Sequence, residues 1–121
     1  MHDANAVATA YLAVWNEADP SRRKAQMDRH WADGARYVDP LMRGEGRDGI
    51  AAMIEGARAQ FPGHSFALSG APDGHQDFVR FSWSLIGAGG HAVAEGTDFV
   101  RLDQAGQIAD VVGFIDRMPG A

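Results

Sequence analysis

The sequence predicts an α+β fold, with three helices first and an antiparallel sheet after them. Up to residue 61 the apolar residues recur at helical spacing, and beyond residue 63 they recur at every second position. Turn residues stand between the later runs, at Pro72-Asp73-Gly74, Gly87-Ala88-Gly89-Gly90 and Asp103-Gln104-Ala105-Gly106. Short connections of this kind return each strand beside the previous one, which makes a meander.

Each element has its own signal. Residues 3–17 place Val7, Tyr11, Val14 and Trp15 on one helical face, and five alanines supply propensity. Asp19-Pro20 pairs an N-cap with proline at the first helical position, so a second helix runs to about Trp31, burying Met27 and Trp31. Residues 35–39 form a short extended piece, because Pro40 keeps Asp39 out of the α region. Ile50, Met53, Ile54, Ala57 and Phe61 make the clearest helical stripe, ended by Pro62-Gly63. Four strands follow, at 64–70, 78–86, 91–103 and 107–116.

Composition excludes several functions. The 121 residues fit one domain spanning 1–121, with a net charge of −5 from 11 basic and 16 acidic residues. That balance argues against nucleic acid, whose phosphates attract basic stripes. Without cysteine there is no disulfide scaffold, zinc ribbon or thiol chemistry. No apolar run approaches the roughly 20 residues that span a bilayer. Met1-His2-Asp3-Ala4 does not open a signal peptide, so a cytoplasmic location without membrane contact is expected. The histidines His2, His30, His64, His75 and His91 show no paired metal-ligand spacing, and no metal is expected. Gly44-Glu45-Gly46-Arg47-Asp48-Gly49 matches G-x-G-x-x-G. It lacks the parallel βαβ unit and the later acid of a dinucleotide site, so its glycines read as a tight loop into the third helix.

The strand 91–103 carries the strongest chemical signal. Its even positions are Ala92, Ala94, Gly96, Asp98, Val100 and Leu102, an apolar face interrupted by one carboxyl. A buried carboxylate must find a partner, take up a proton or line a wet cavity, and a salt bridge to Arg80 or a β-bulge are the structural alternatives. Asp39, before Pro40, reads either as a turn-forming Asx residue or as a second site carboxyl. Tyr11, on the apolar face of the first helix, needs a partner for its hydroxyl. A phenol and two carboxyls converging in one apolar pocket suit proton transfer next to a carbonyl.

With Tyr11 on helix one, Trp31-Ala32-Asp33-Gly34-Ala35-Arg36-Tyr37-Val38-Asp39-Pro40 and Gly96-Thr97-Asp98-Phe99-Val100-Arg101-Leu102-Asp103-Gln104-Ala105-Gly106 on the strands, the chain resembles the SnoaL-like branch of the nuclear transport factor 2 superfamily over nearly its whole length. The resemblance implies a cone-shaped curved antiparallel sheet wrapped around three N-terminal helices, with an apolar pocket and usually a homodimer. Ketosteroid isomerase, within that superfamily, implies roles for three residues: Asp39 as base, with Tyr11 and a protonated Asp98 as oxyanion donors. For Asp98 to stay neutral at pH 7 its pKa has to rise above 7, which is about 4 kcal/mol of differential stabilisation. SnoaL-type polyketide cyclases use an inward acid that resembles Asp98. The epoxide hydrolase pattern is broken at Arg80-Phe81-Ser82 and Gly113, and the pocket histidines of the dehydratases are not matched by His75 or His91.

The expected pocket is lined by Trp15, Met27, Trp31, Met42, Met53, Ile54, Phe61, Phe81, Trp83 and Ile115 around Tyr11, Asp39 and Asp98. These side chains suit an apolar, cyclic small-molecule ligand, with no cofactor called for. The resulting expectation is an isomerase-like or cyclase-like enzyme. The alternative is a non-catalytic binding module with the same pocket. The outward side of the last strand, Ile108, Asp110, Val112, Phe114 and Asp116, is the expected homodimer face.

Overall fold

In the computed structural model, which describes residues 3–118, three helices precede most of a six-stranded sheet. Helix α1 (Ala4–Asn16) starts at Asp3, whose carboxylate accepts from the Ala6 amide at 3.2 Å. Helix α2 (Pro20–His30) starts at Asp19, which accepts from the Ser21 amide, with Pro20 in the first turn. Helix α3 (Gly46–Gln60) follows the short strand β2 (Arg43–Glu45). Residue His2 lies outside the described residues.

The remaining strands are β1 (Trp31–Val38), β3 (Ser65–His75), β4 (Phe78–Ile86), β5 (Ala92–Leu102) and β6 (Ile108–Arg117). Their spatial order is β2-β1-β6-β5-β4-β3. The sheet is curved and unclosed, and it is mixed, which corrects the expected antiparallel arrangement. β1 runs parallel to β6, pairing Tyr37 with Val111 and Val38 with Val112. The expected extended piece at 35–39 is thus the end of a longer strand that begins at Trp31, where α2 stops. Its Gly34 and exposed Asp33 obscure the alternation that Trp31, Ala35 and Tyr37 show once buried.

A second correction concerns the expected turn at Pro72-Asp73-Gly74. β3 continues through it to His75, and the chain reverses at Gln76-Asp77, where Gln76 takes a positive φ of 51°. Gly70 at φ 77° accompanies a register shift between Ser69 and Asp73. This places Pro72 in an irregular stretch of an edge strand, where its missing N–H costs no ladder bond. The Gly-rich segment does serve as close packing. A methyl group at Gly44 would lie 3.2 Å from both the Gly49 carbonyl and Ile50.

The core lies between the helices and the inner face of the sheet, and two polar ties set the helices upon it. Asn16, at the end of α1, clamps β3 by donating to the Phe66 carbonyl at 2.9 Å and accepting its amide at 2.7 Å. Arg23, almost fully buried on α2, donates to the Glu17 carbonyl at 2.7 and 3.2 Å and pairs with Glu55 of α3 at 2.5 Å. A buried guanidinium persists because these acceptors replace its water. Among the described residues no helix is long and apolar enough to cross a membrane.

Candidate active site

A cavity of about 80 Å³ opens between α1, α3 and the inner sheet face. Tyr11, Asp39 and Asp98 all line it, although they come from a helix, the end of β1 and the middle of β5. Of the other expected lining residues, Trp15, Met42, Phe61, Trp83 and Ile115 are on its wall. Met27, Trp31, Met53, Ile54 and Phe81 are not, and the expected lining is corrected there. The stripe on α3 divides along its length: Ile50 and Ile54 are fully buried in the core, while Ala57 and Phe61 reach the cavity. Met53 packs partly buried against the same core, and Met27 lies fully buried in it. Trp31 instead stacks on the Tyr11 ring and Phe81 meets it edge-on, with centroids 5.8 and 5.0 Å away.

Asp98 is the buried carboxyl of the site, 3% exposed. Its Oδ2 accepts from the Tyr11 hydroxyl at 2.6 Å and its Oδ1 from the Trp83 indole N–H at 3.2 Å. Burial pushes its pKa up from 3.8 to about 6, against the two hydrogen bonds, which lower it; the charges of Asp39 and Asp116 add to the rise. A value of about 6 leaves Asp98 mostly ionised at pH 7. Burial thus moves Asp98 toward the neutral state implied by the resemblance. Burial, then the Asp98 charge, push the Tyr11 hydroxyl well up, so it remains a donor.

Asp39 combines both of its sequence readings. Its Oδ1 accepts from the amides of Leu41 and Met42 at 2.8 and 2.9 Å, the Asx turn expected before Pro40. Its Oδ2 accepts from the Tyr37 hydroxyl at 2.6 Å, inside the cavity. Tyr37 is the residue the sequence did not offer. Burial and the nearby carboxylates Asp98 and Asp39 push its hydroxyl up strongly, so it too donates. The signal available in the sequence is the spacing Ala35, Tyr37, Asp39, which places Tyr37 on the same strand face as Asp39. Arg58, His64 and Phe66 also line the cavity unforeseen. Phe66 packs edge-on against Trp15 and Trp83 at 5.4 and 5.3 Å. The Nδ1–H of His64 donates to the Pro62 carbonyl at 3.0 Å.

Two glycines make room for the acids. Gly113 of β6 stands opposite Asp98. A methyl group there would lie 2.8 Å from Asp98 Oδ1, 3.1 Å from Asp39 Cβ and 3.5 Å from the Tyr37 hydroxyl. Gly96 stands opposite Trp83, whose indole lies directly over it and closer than any Cβ permits. The glycine thus lets the indole lie flat and reach Asp98. The Trp15 indole N–H is buried without an acceptor and lies near the Tyr11 hydroxyl. No group of three or more His, Asp or Glu side chains that could hold a metal ion occurs among the described residues.

With this geometry in place, comparison with known proteins is informative. The model of the SnoaL-like domain matches residues 8–111. The chain belongs to the SnoaL-like family. A crystal structure of a candidate isomerase of that family, from Agrobacterium tumefaciens, is 57% identical, with a TM-score of 0.90 over 92% of this chain and 95% of that one. A candidate SnoaL-like polyketide cyclase from Jannaschia sp. CCS1 has a TM-score of 0.71 at 17% identity, over 91% and 85% of the two chains. A protein of unknown function with a cystatin-like fold, from Methylobium petroleophilum PM1, has a TM-score of 0.74 at 22% identity, over 98% and 78%. The last two show the fold alone. No curated protein matches the chain.

Proposed function

We propose that this SnoaL-like protein is a cofactor-independent acid–base enzyme that moves a proton next to a carbonyl of a small apolar ligand. The observation that carries it is Asp98, a carboxylate held in an apolar cavity and pushed up to about 6. A base whose pKa lies near the working pH is ionised when substrate arrives and can still return the proton. Asp39 is less suited, because two amides and a phenol already satisfy its charge. The roles implied by the resemblance therefore exchange: Asp98 takes the proton and Asp39 holds Tyr37.

In the proposed step, the proton on the carbon next to the carbonyl passes to Asp98 and its electron pair becomes the enolate. Neutralising Asp98 weakens its hold on the Tyr11 hydroxyl, which is then free to donate to the enolate oxygen. Asp98 returns the proton to another carbon, so atoms and charge balance without a cofactor. The 57% identical candidate isomerase supports this class of reaction. A cavity of about 80 Å³ is roughly half the ~150 Å³ of an apolar cavity that binds benzene, so it suits small substrates.

The test is deuterium uptake from D₂O by small unsaturated ketones, followed by NMR. Wild-type protein is expected to catalyse exchange and Asp98→Asn to abolish it. Saturable binding without exchange in the wild type overturns the reading in favour of a binding module. The outward sheet face extends the proposal to a homodimer. Val38, Val112, Phe99 and Phe114 are exposed neighbours there, with the two phenylalanine rings 5.8 Å apart. Ile108, expected on that face, points into the core instead. Its test is the mass of Phe114→Lys against wild type in light scattering.

A further inference from the structure

Arg58 is the arginine on the cavity wall, and it has no carboxylate partner among the described residues. It is half-buried on α3, and a single N–H donates to the Trp15 carbonyl at 2.9 Å, at the end of α1. A guanidinium carries five N–H donors, so most of this one is left to water or a ligand, with no further acceptor among the described residues. Seven other arginines pair with carboxylates: Arg22, Arg23, Arg36, Arg47, Arg80, Arg101 and Arg117. Arg29 and Arg43 have no such partner among the described residues but are exposed and lie off the cavity wall. Arg58 alone combines an apolar cavity wall with the lack of a carboxylate partner among the described residues.

The acids of the same cavity are in the opposite condition. Asp39 accepts three hydrogen bonds and Asp98 two, each from groups of the chain itself. A cationic ligand would find these carboxylates already served, whereas an anionic one would find unused donors on Arg58. His64, also on the cavity wall, directs Nδ1 to its own loop at Pro62.

We infer that the cavity takes a small carboxylate, its anionic end paired with Arg58 and its carbon skeleton on Trp15, Phe61 and Phe66. Arg58 and the carboxylate suit one another because a planar guanidinium fork meets two oxygens at once. The limited cavity volume selects a short skeleton whose far end approaches Asp98. The inference rests on the acid–base reading for the chemistry at the Asp98 end; the anchor at Arg58 is independent of turnover.

The experiment compares isovalerate, isovaleramide and isoamylamine, which share a skeleton and differ in charge, by tryptophan fluorescence and ligand-observed NMR on the full chain. Isovalerate is expected to bind about tenfold more tightly than the amide, the size of a charge-assisted pair. Arg58→Gln is expected to erase that preference and Asp98→Asn to keep it. Equal binding of acid and amide, tightest binding of the amine, or a preference that survives Arg58→Gln would overturn the inference. Should Arg58→Gln fail to fold, salt titration of the wild type decides. An advantage of the acid that shrinks with salt supports the ion pair, and one that salt leaves unchanged overturns it. Carboxylate preference without deuterium exchange sinks the proposed reaction and leaves the anchor standing; exchange without preference does the reverse.

Discussion

Two carboxylate–phenol pairs of equal length, Tyr11–Asp98 and Tyr37–Asp39, both at 2.6 Å, share one cavity and differ in everything around them. Asp98 sits mid-strand on the inner face, where water is gone and only two side chains replace it. Asp39 sits at a strand end, where the turn supplies two backbone amides as well. The difference teaches that a hydrogen bond of given length does not set a carboxyl's chemistry. What matters is how many of its lost waters the fold replaces.

The comparison is broken most strongly by removing each charge in turn. Asp98→Asn is expected to lower the rate of proton exchange at least ~100-fold, and Asp39→Asn less than about tenfold, in single-turnover assays at pH 7. Equal losses would mean that the two pairs act as one.

Stability against pH separates them next. Asp98 has a pKa of about 6 in the fold against 3.8 as its ordinary value. Across that window the native state binds the proton more firmly than the unfolded chain does. The contribution of Asp98 is therefore unfavourable at high pH: stability falls as pH rises from about 4 to 6, by about 3 kcal/mol in all. Thermal unfolding of Asp98→Asn should show its advantage over wild type above pH 6 and none below pH 4.

The glycines sharpen the contrast further. Gly113→Ala places a methyl group against both acids and is expected to cost about 1–3 kcal/mol by denaturant unfolding. Gly96→Ala pushes the Trp83 indole off its seat and breaks its bond to Asp98. Because that bond lowers the Asp98 pKa, an NMR titration should find the carboxyl above its wild-type value. Tyr37→Phe has the smallest expected effect, about 1 kcal/mol, since Asp39 keeps both amides.

Periodicity made most of the fold legible. The stripes of α1 and α2 and the alternation in β4 and β5 place their elements within a residue or two, because one buried face dictates each pattern. The α3 stripe starts four residues inside its helix. Asp98 stood out for the same reason: a lone carboxyl on an apolar face has few harmless explanations. The parallel pairing of β1 with β6 was hidden, since no local turn announces it and Asp33-Gly34 interrupts the pattern of β1. Tyr37 lay inside the expected extended piece at 35–39, but without the pairing to β6 nothing showed which of its faces lines the cavity. Nor does periodicity say which buried residues face a void and which face other side chains. Trp31 and Trp15 read alike in the sequence, yet Trp31 supports the Tyr11 ring while Trp15 lines the hollow.

The parallel edge also bears on the order of folding. Strands β3 to β6 join neighbours along the chain, whereas β1 meets β6 across a separation of 74 residues at Arg36 and Asp110. Long loops close late, because their entropy is lost before any contact compensates it. The meander thus brings Trp83 and Asp98 together early, and β1 arrives afterwards with Tyr37 and Asp39. Val38→Ala, at that late seam, should speed unfolding while leaving refolding nearly unchanged. A chain paused before this docking would hold Asp98 beside a cavity still missing the wall that Tyr37 and Asp39 supply.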